Sequence, residues 1–378
     1  MKCILASVGL AGLAIGAQAQ TAPASSSVTI YGIADLGVER LTNVGAGGGS
    51  LTRMPGLTGS LPSRLGFRGS EDLGDGLKAI FALEMGIGLD AGTHNQGGRG
   101  FGRQAFVGLS GPWGSVTLGR NYSMLYWGVF DGDLLGPNAF GIGSLDSYVP
   151  NTRVDNSIAY RGTFSGLTVG ATYSFGRDAV NAGPSPAGTN CAGENPLDSK
   201  ACREWSGLLK YDAPAWGVAL GVDEIRGGTG AFAGLVRSDL TDRRITLNGY
   251  AKLGSQVKLA AGVLRRDNDA AAAASATNGA TSRSNIAWFG ASWSPAGTLF
   301  TLDGQVQRID FAGGGDKSTL SVIRGFYNLS RRSAVYLQAG HISNGSRLAF
   351  GVSSAQAGGA PVAGSSQNGV MAGIRHIF

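Results

Sequence analysis

The sequence is poor in the residues from which most catalytic and metal centres are built. Of 378 residues only 3 are histidine and 3 cysteine. His94, His341 and His376 fall on separate segments, so no metal site is expected. No G-x-S-x-G and no H-E-x-x-H occurs, which removes the common hydrolase signatures. Gly228-Thr229-Gly230-Ala231-Phe232-Ala233 loosely fits a dinucleotide-binding pattern, but no helical periodicity follows it, so no cofactor is expected. Charged residues make up 15% of the chain and the net charge is +6. That charge is dispersed, without a basic run, and argues for no nucleic-acid partner. Beyond the first residues no apolar run reaches the ~18 positions of a membrane-spanning helix.

What is present is glycine, 64 residues of it, with a mean hydropathy of +0.05. The chain opens MKCILASVGLAGLAIGAQAQ. Lys2, the apolar stretch Ile4 to Ile15 and the small-residue pattern Ala17-Gln18-Ala19 describe an export signal over residues 1–19. The mature chain, 20–378, then reads as one domain. Cys3 leaves with the signal. Cys191 and Cys202 remain as an even pair, and an oxidising compartment predicts a disulfide closing a short loop.

Period-two alternation runs through the chain. In Leu167–Phe175, Leu167, Val169, Ala171, Tyr173 and Phe175 oppose Thr168, Gly170, Thr172 and Ser174. In Phe300–Arg308, Phe300, Leu302 and Val306 oppose Thr301, Asp303, Gln305 and Gln307. One face is apolar and the other carries charge, so the polar face meets water rather than a packed core. The pattern predicts strands at 27–39, 64–71, 77–88, 101–109, 114–120, 153–164, 167–176, 203–212, 217–226, 243–253, 256–266, 284–293, 298–310, 318–329, 333–343 and 367–378. Short turns alternate with long connections, and Trp113, Phe164, Trp216 and Trp293 cluster beside the turns. This is the layout of an all-β, 16-stranded antiparallel transmembrane β-barrel. The loop 40–63 includes a flexible Gly45–Ser50.

The connection from Asn121 to Tyr148 is about twice the usual length and carries Tyr122, Tyr126, Trp127, Phe130, Phe140 and Tyr148 with Asp131, Asp133 and Asp146. It is expected to fold back inside the barrel as a constriction, its aromatics on the wall and its carboxylates facing a water-filled hole.

Four stretches resemble the Gram-negative general porins of the beta-proteobacterial branch. They are SSVTIYGIADLGVE for the first strand, SRLGFRGSEDLGDGLKAIFALE for the second hairpin, GRQAFVGLSGPWGSVTLGRNYS leading into the long loop, and the terminal VMAGIRHIF. The resemblance spans the mature chain. It implies a homotrimer in the cell outer membrane, with outer-membrane lipid and lipopolysaccharide around it. It also implies that Phe378 is the signal read by the barrel-assembly machinery. Carried onto this sequence, the basic wall of the pore constriction would be Arg64, Arg68, Arg103 and Arg120, facing Asp131 and Asp133. Asn138, in Pro137-Asn138-Ala139-Phe140-Gly141, stands where enteric members have a carboxylate.

The reading is an outer-membrane porin, a passive water-filled diffusion channel for small hydrophilic solutes and ions, and not an enzyme. Four wall cations against two loop anions predict a weak preference for anions. A substrate-specific channel for sugar or phosphate would need an aromatic slide or a dense basic ladder. A barrel enzyme would need a nucleophile and base that this sequence does not assemble.

Overall fold

The structure is a computed structural model and describes residues 26–177, 191, 193–229, 234–270, 283–312 and 316–378. The proposed signal, 1–19, lies outside the described residues. One sheet holds 18 strands. Two are short, Gly49–Arg53 and Thr93–His94; the remaining sixteen (18 − 2) form the wall of a closed antiparallel barrel. The expected strand list therefore stands, with ends shifted by a few residues.

Closure joins the first strand, Ser27–Val44, to the last, Gln367–Ile377, in a register running from Ile33↔Ile377 to Leu41↔Gly369. Gly32 and Phe378 extend this seam: the Gly32 amide donates to the Phe378 carbonyl at 2.9 Å, and the Phe378 amide donates to the Gly32 carbonyl at 3.1 Å. The Phe378 ring lies over Gly32 so closely that a Cβ there would collide with it and with the Arg64 carbonyl. Closing the seam leaves no strand edge, which is what lets a sheet exist in lipid.

Alternation becomes burial. In Arg283–Trp293, Ile286 and Trp288 are buried while Ala287 and Phe289 face outward. Phe289, Leu247 and Val306 are half exposed on the outer face, the area that lipid covers. Trp113, Phe164, Trp216 and Trp293 are exposed on the outer surface beside the short turns, as an interfacial girdle requires. Those turns are tight: Gly74, Asp75 and Gly76 all take positive φ.

The loop 40–63 differs from expectation. The first strand continues to Val44 and pairs back with Gly49–Arg53. The glycines read as flexible instead make the turn, Gly45 at φ 64° and Gly48 at φ 61°. Cys191 and Cys202 are bridged, with Cα atoms 5.4 Å apart, within the range that a disulfide spans.

Unheated, detergent-solubilised protein should differ in mobility from boiled protein on denaturing gels, because the closed barrel resists detergent until it is heated. Gly32→Val should lower that heat-modifiable fraction; a fully heat-modifiable variant would contradict the seam described here.

Candidate functional site

The segment between the strands Gly114–Tyr122 and Arg153–Phe164 enters the barrel and returns. The Ser123 amide donates to the Thr152 carbonyl at 2.8 Å and pins its base. Its outgoing leg begins with a short helix, Met124–Val129. Gly128 packs against the wall at Gly221, where a Cβ would sit 3.3 Å from the facing Cα, so a side chain there would push the two backbones apart by a few tenths of an ångström.

Irregular backbone at membrane depth must find hydrogen-bond partners, and wall side chains supply them. Asn248 Nδ2 donates to the Gly128 carbonyl at 2.8 Å, and Trp288 Nε1 to that of Gly132 at 2.7 Å. Arg324 donates to the carbonyls of Leu134 and Leu135, each at 3.1 Å. At the tip the Ala139 amide donates to Gly59 at 3.0 Å, and Ser354 donates to Ala139 at 2.8 Å. On the return leg Ser144 Oγ donates to Val352 at 3.0 Å, and the Tyr148 hydroxyl to Asp223 at 3.1 Å. Phe140, Leu125 and Leu135 fill the apolar space between loop and wall.

The loop carboxylates turn to the wall, which corrects the expected facing. Asp131 pairs with Lys210, and its carbonyl accepts from Lys258 at 2.9 Å. Asp133 is buried and accepts from Gln305 Nε2 at 2.8 Å and the Leu135 amide at 3.3 Å. Asp146 is buried in an ion pair with Arg244 at 2.8 Å. Asn138 is buried too, exchanging 3.3 Å hydrogen bonds with the backbone of Phe140. Phe130, by contrast, is 51% exposed. The physical reason is partner supply: a buried carboxylate needs donors, and Lys210, Gln305 and Arg244 stand on the wall behind the loop.

Burial affects the two buried loop acids differently. It pushes Asp133, whose donors are mostly neutral, up from 3.8 to about 6. Burial also raises Asp146, but Arg244 and Arg266 more than offset it and hold that carboxyl below its ordinary value.

The four arginines named from the sequence separate into two pairs. Arg103 is buried and bound to Glu84 at 2.6 Å and the Tyr122 hydroxyl at 2.8 Å. Arg120 pairs with Asp155 at 2.5 Å. Arg64 and Arg68 share the inward face of Arg64–Gly74 and make no ion pair among the described residues; Arg68 lies 5.2 Å over the Tyr31 ring. Three further arginines on the inward faces of strands make no ion pair among the described residues. They are Arg153 on the Tyr122 hydroxyl at 2.9 Å, Arg161 at 3.8 Å over Trp127, and Arg375 at 4.5 Å over Phe326. Alternation could have found Arg161, which shares its face with the buried Ala159, and Arg375, which shares its face with the buried Met371. Among the described residues no group of three or more His, Cys, Asp or Glu side chains could hold a metal ion.

A family profile described as Gram-negative porin matches residues 6–347. Outer membrane porin protein 32 of Delftia acidovorans is 32% identical over 383 positions, covering 98% of this chain and 99% of its own. An outer membrane porin protein of Bordetella pertussis is 34% identical over 263 positions, covering 66% of this chain and 65% of its own. Among solved structures, the anion-selective porin from Comamonas acidovorans superposes with a TM-score of 0.73 at 28% identity, over 94% of this chain and 100% of that one.

The two buried acids should respond oppositely to removal of their charge. Asp133 binds its proton more tightly folded than unfolded, so its contribution to stability falls as pH rises from about 4 to about 6. Asp133→Asn keeps the oxygen acceptor and should flatten that slope. Asp146→Asn should cost about 2 kcal/mol, the worth of a hydrogen bond to a charged group, since Arg244 keeps Asp242 at 3.1 Å. Urea unfolding in detergent across this pH range measures both; an unchanged slope in Asp133→Asn would contradict the assignment.

Proposed function

The chain belongs to the Gram-negative porin family, and from that premise we propose that its constriction passes anions in preference to cations. As a member it is an outer-membrane β-barrel porin, a passive water-filled channel, and its family consists of transport channels rather than enzymes. One observation carries the proposal. The loop carboxylates are engaged by wall donors, while Arg64, Arg68, Arg153, Arg161 and Arg375 make no ion pair among the described residues. Fixed charges of one sign lining a narrow passage set its ion preference. With a Debye length of about 8 Å in physiological salt, their field is incompletely screened in a narrow lumen. The likeness to a porin named anion-selective supports the same reading. Arg64 and Arg68 are the field-setting residues in this proposal. Arg103 and Arg120 brace the wall through Glu84 and Asp155, and Asn138 holds the loop tip.

The working form in this reading is a homotrimer. Its support is the apolar outward patch of Leu65, Phe67, Phe81, Leu83 and Val107, on which the one charge, Glu71, lies at the short-turn end. On other strands the outward face ends near the long loops in Arg243, Arg265, Arg283 and Arg308, which are paired with Glu224, Asp267 and Asp310. Residues 1–19 serve export, and Phe378 at the closing seam serves recognition by the barrel-assembly machinery. Deleting Phe378 should lower surface levels without blocking export; unchanged surface levels would remove that role.

The reversal potential across a potassium chloride gradient in a planar bilayer tests the selectivity. A modest anion preference, larger at low salt, is expected. The pair Arg64→Glu and Arg68→Glu should reverse it. A cation preference in the unsubstituted protein would overturn the proposal.

A further inference from the structure

Both legs of the constriction loop are tied to the wall at its base. On the outgoing leg the Met124 amide donates to Ser206 Oγ at 2.9 Å. On the return leg the Tyr148 hydroxyl donates to Asp223, 3.1 Å from Oδ1 and 3.4 Å from Oδ2. Ser206 and Asp223 are partners in the register of two paired strands, Glu204–Asp212 and Trp216–Arg226. Glu204 stands two positions before Ser206, so it shares that inward face, and its carboxyl lies within hydrogen-bonding reach of Asp223. Both acids are at 0% exposure, and neither Glu204 oxygen has a hydrogen-bond partner among the described residues. Ionised carboxylates only accept, so two of them cannot satisfy each other. The neighbouring cations do not cancel the pair. Arg244 bridges Asp146 and Asp242 at 2.8 and 3.1 Å, and Arg266 meets Asp242 at 2.8 Å, so two guanidiniums serve those two acids. Arg177 is the further cation whose field reaches Glu204, and it is turned to the Arg226 carbonyl at 3.3 Å. Four carboxyls thus share three guanidiniums.

We propose that Glu204 and Asp223 hold one proton between them, and that Glu204 acts through it as a positioning residue for the constriction. With the proton, one carboxyl donates to the other and Asp223 keeps an oxygen to accept from Tyr148. The three guanidiniums then balance the three remaining charges. Without it, two carboxylates in contact and out of water repel each other. Asp146 and Asp242 stay charged on Arg244 and Arg266, so the change falls on the pair and on what the pair holds. Tyr148 is its mobile partner, because it belongs to the loop and not to the wall. The return leg is therefore anchored at low pH and released as pH rises. This role is independent of which ion the constriction prefers.

Single-channel current of the native protein in a planar bilayer, recorded from about pH 5 to about pH 10, tests this. Brief closures should be rare at the acid end and should grow more frequent as pH rises, by up to about tenfold per pH unit. Glu204→Gln puts a neutral amide where the shared proton was and should stay quiet across the range. Asp223→Asn removes the same repulsion, still accepts from Tyr148, and should stay quiet too, which covers the case in which Glu204→Gln fails to assemble. Tyr148→Phe lacks the anchoring hydroxyl and should close often at every pH. Asp133 titrates near pH 6, but its share of any profile would persist in Glu204→Gln. A closure frequency that is flat or falls with pH in the native protein would overturn the proposal. So would the native profile surviving in Glu204→Gln or Asp223→Asn, or a Tyr148→Phe channel as quiet as the native one at the acid end.

Discussion

An irregular segment inside a membrane barrel keeps its place only where its polar groups find partners, and here the wall supplies nearly every one. Asn248, Trp288, Gln305, Arg324 and Arg244 stand on adjacent inward faces and hold successive points of the loop. The pairing of Asp146 with Arg244 is the most demanding of these contacts, because both groups are buried and an unpaired buried charge is costly. Once loop carboxylates serve as anchors they cease to serve as the negative side of a transverse field. On the basic wall Glu84 and Asp155 offset only Arg103 and Arg120, and the loop presents a recess lined by Tyr126, Phe130, two prolines and the buried Asp133.

The barrel was legible in the sequence because its cause is local. A strand between lipid and water must alternate, and a one-residue slip would turn every side chain to the wrong side. The runs Leu167–Ser174 and Phe300–Phe311 therefore announce themselves. The length and aromatic content of 121–148 similarly marked the loop that folds inward. The facing of its acids was not legible, because it depends on contacts far apart in the chain. Leu135 meets Arg324 across 189 residues and Asp146 meets Arg244 across 98, and no spacing rule couples such positions. Arg103 and Arg120 were assigned to the lumen from their place before the loop, yet Glu84 and Asp155 neutralise them. Gly45 and Gly48 were read as slack, whereas their positive φ values make them the turn of a hairpin.

Charge placement distinguishes the constriction: unpaired arginines on the wall, Asp133 and Asp146 buried behind the loop, and Asp131 partly exposed but paired with Lys210. The most direct measurement is anomalous scattering from crystals of the native protein soaked separately in bromide and in rubidium salts. Bromide density against Arg64, Arg68 or Arg161, with no rubidium on the lumen side of Asp131, Asp133 or Asp146, is the predicted result. Rubidium bound at those loop carboxylates, with the arginines free of bromide, would contradict the account.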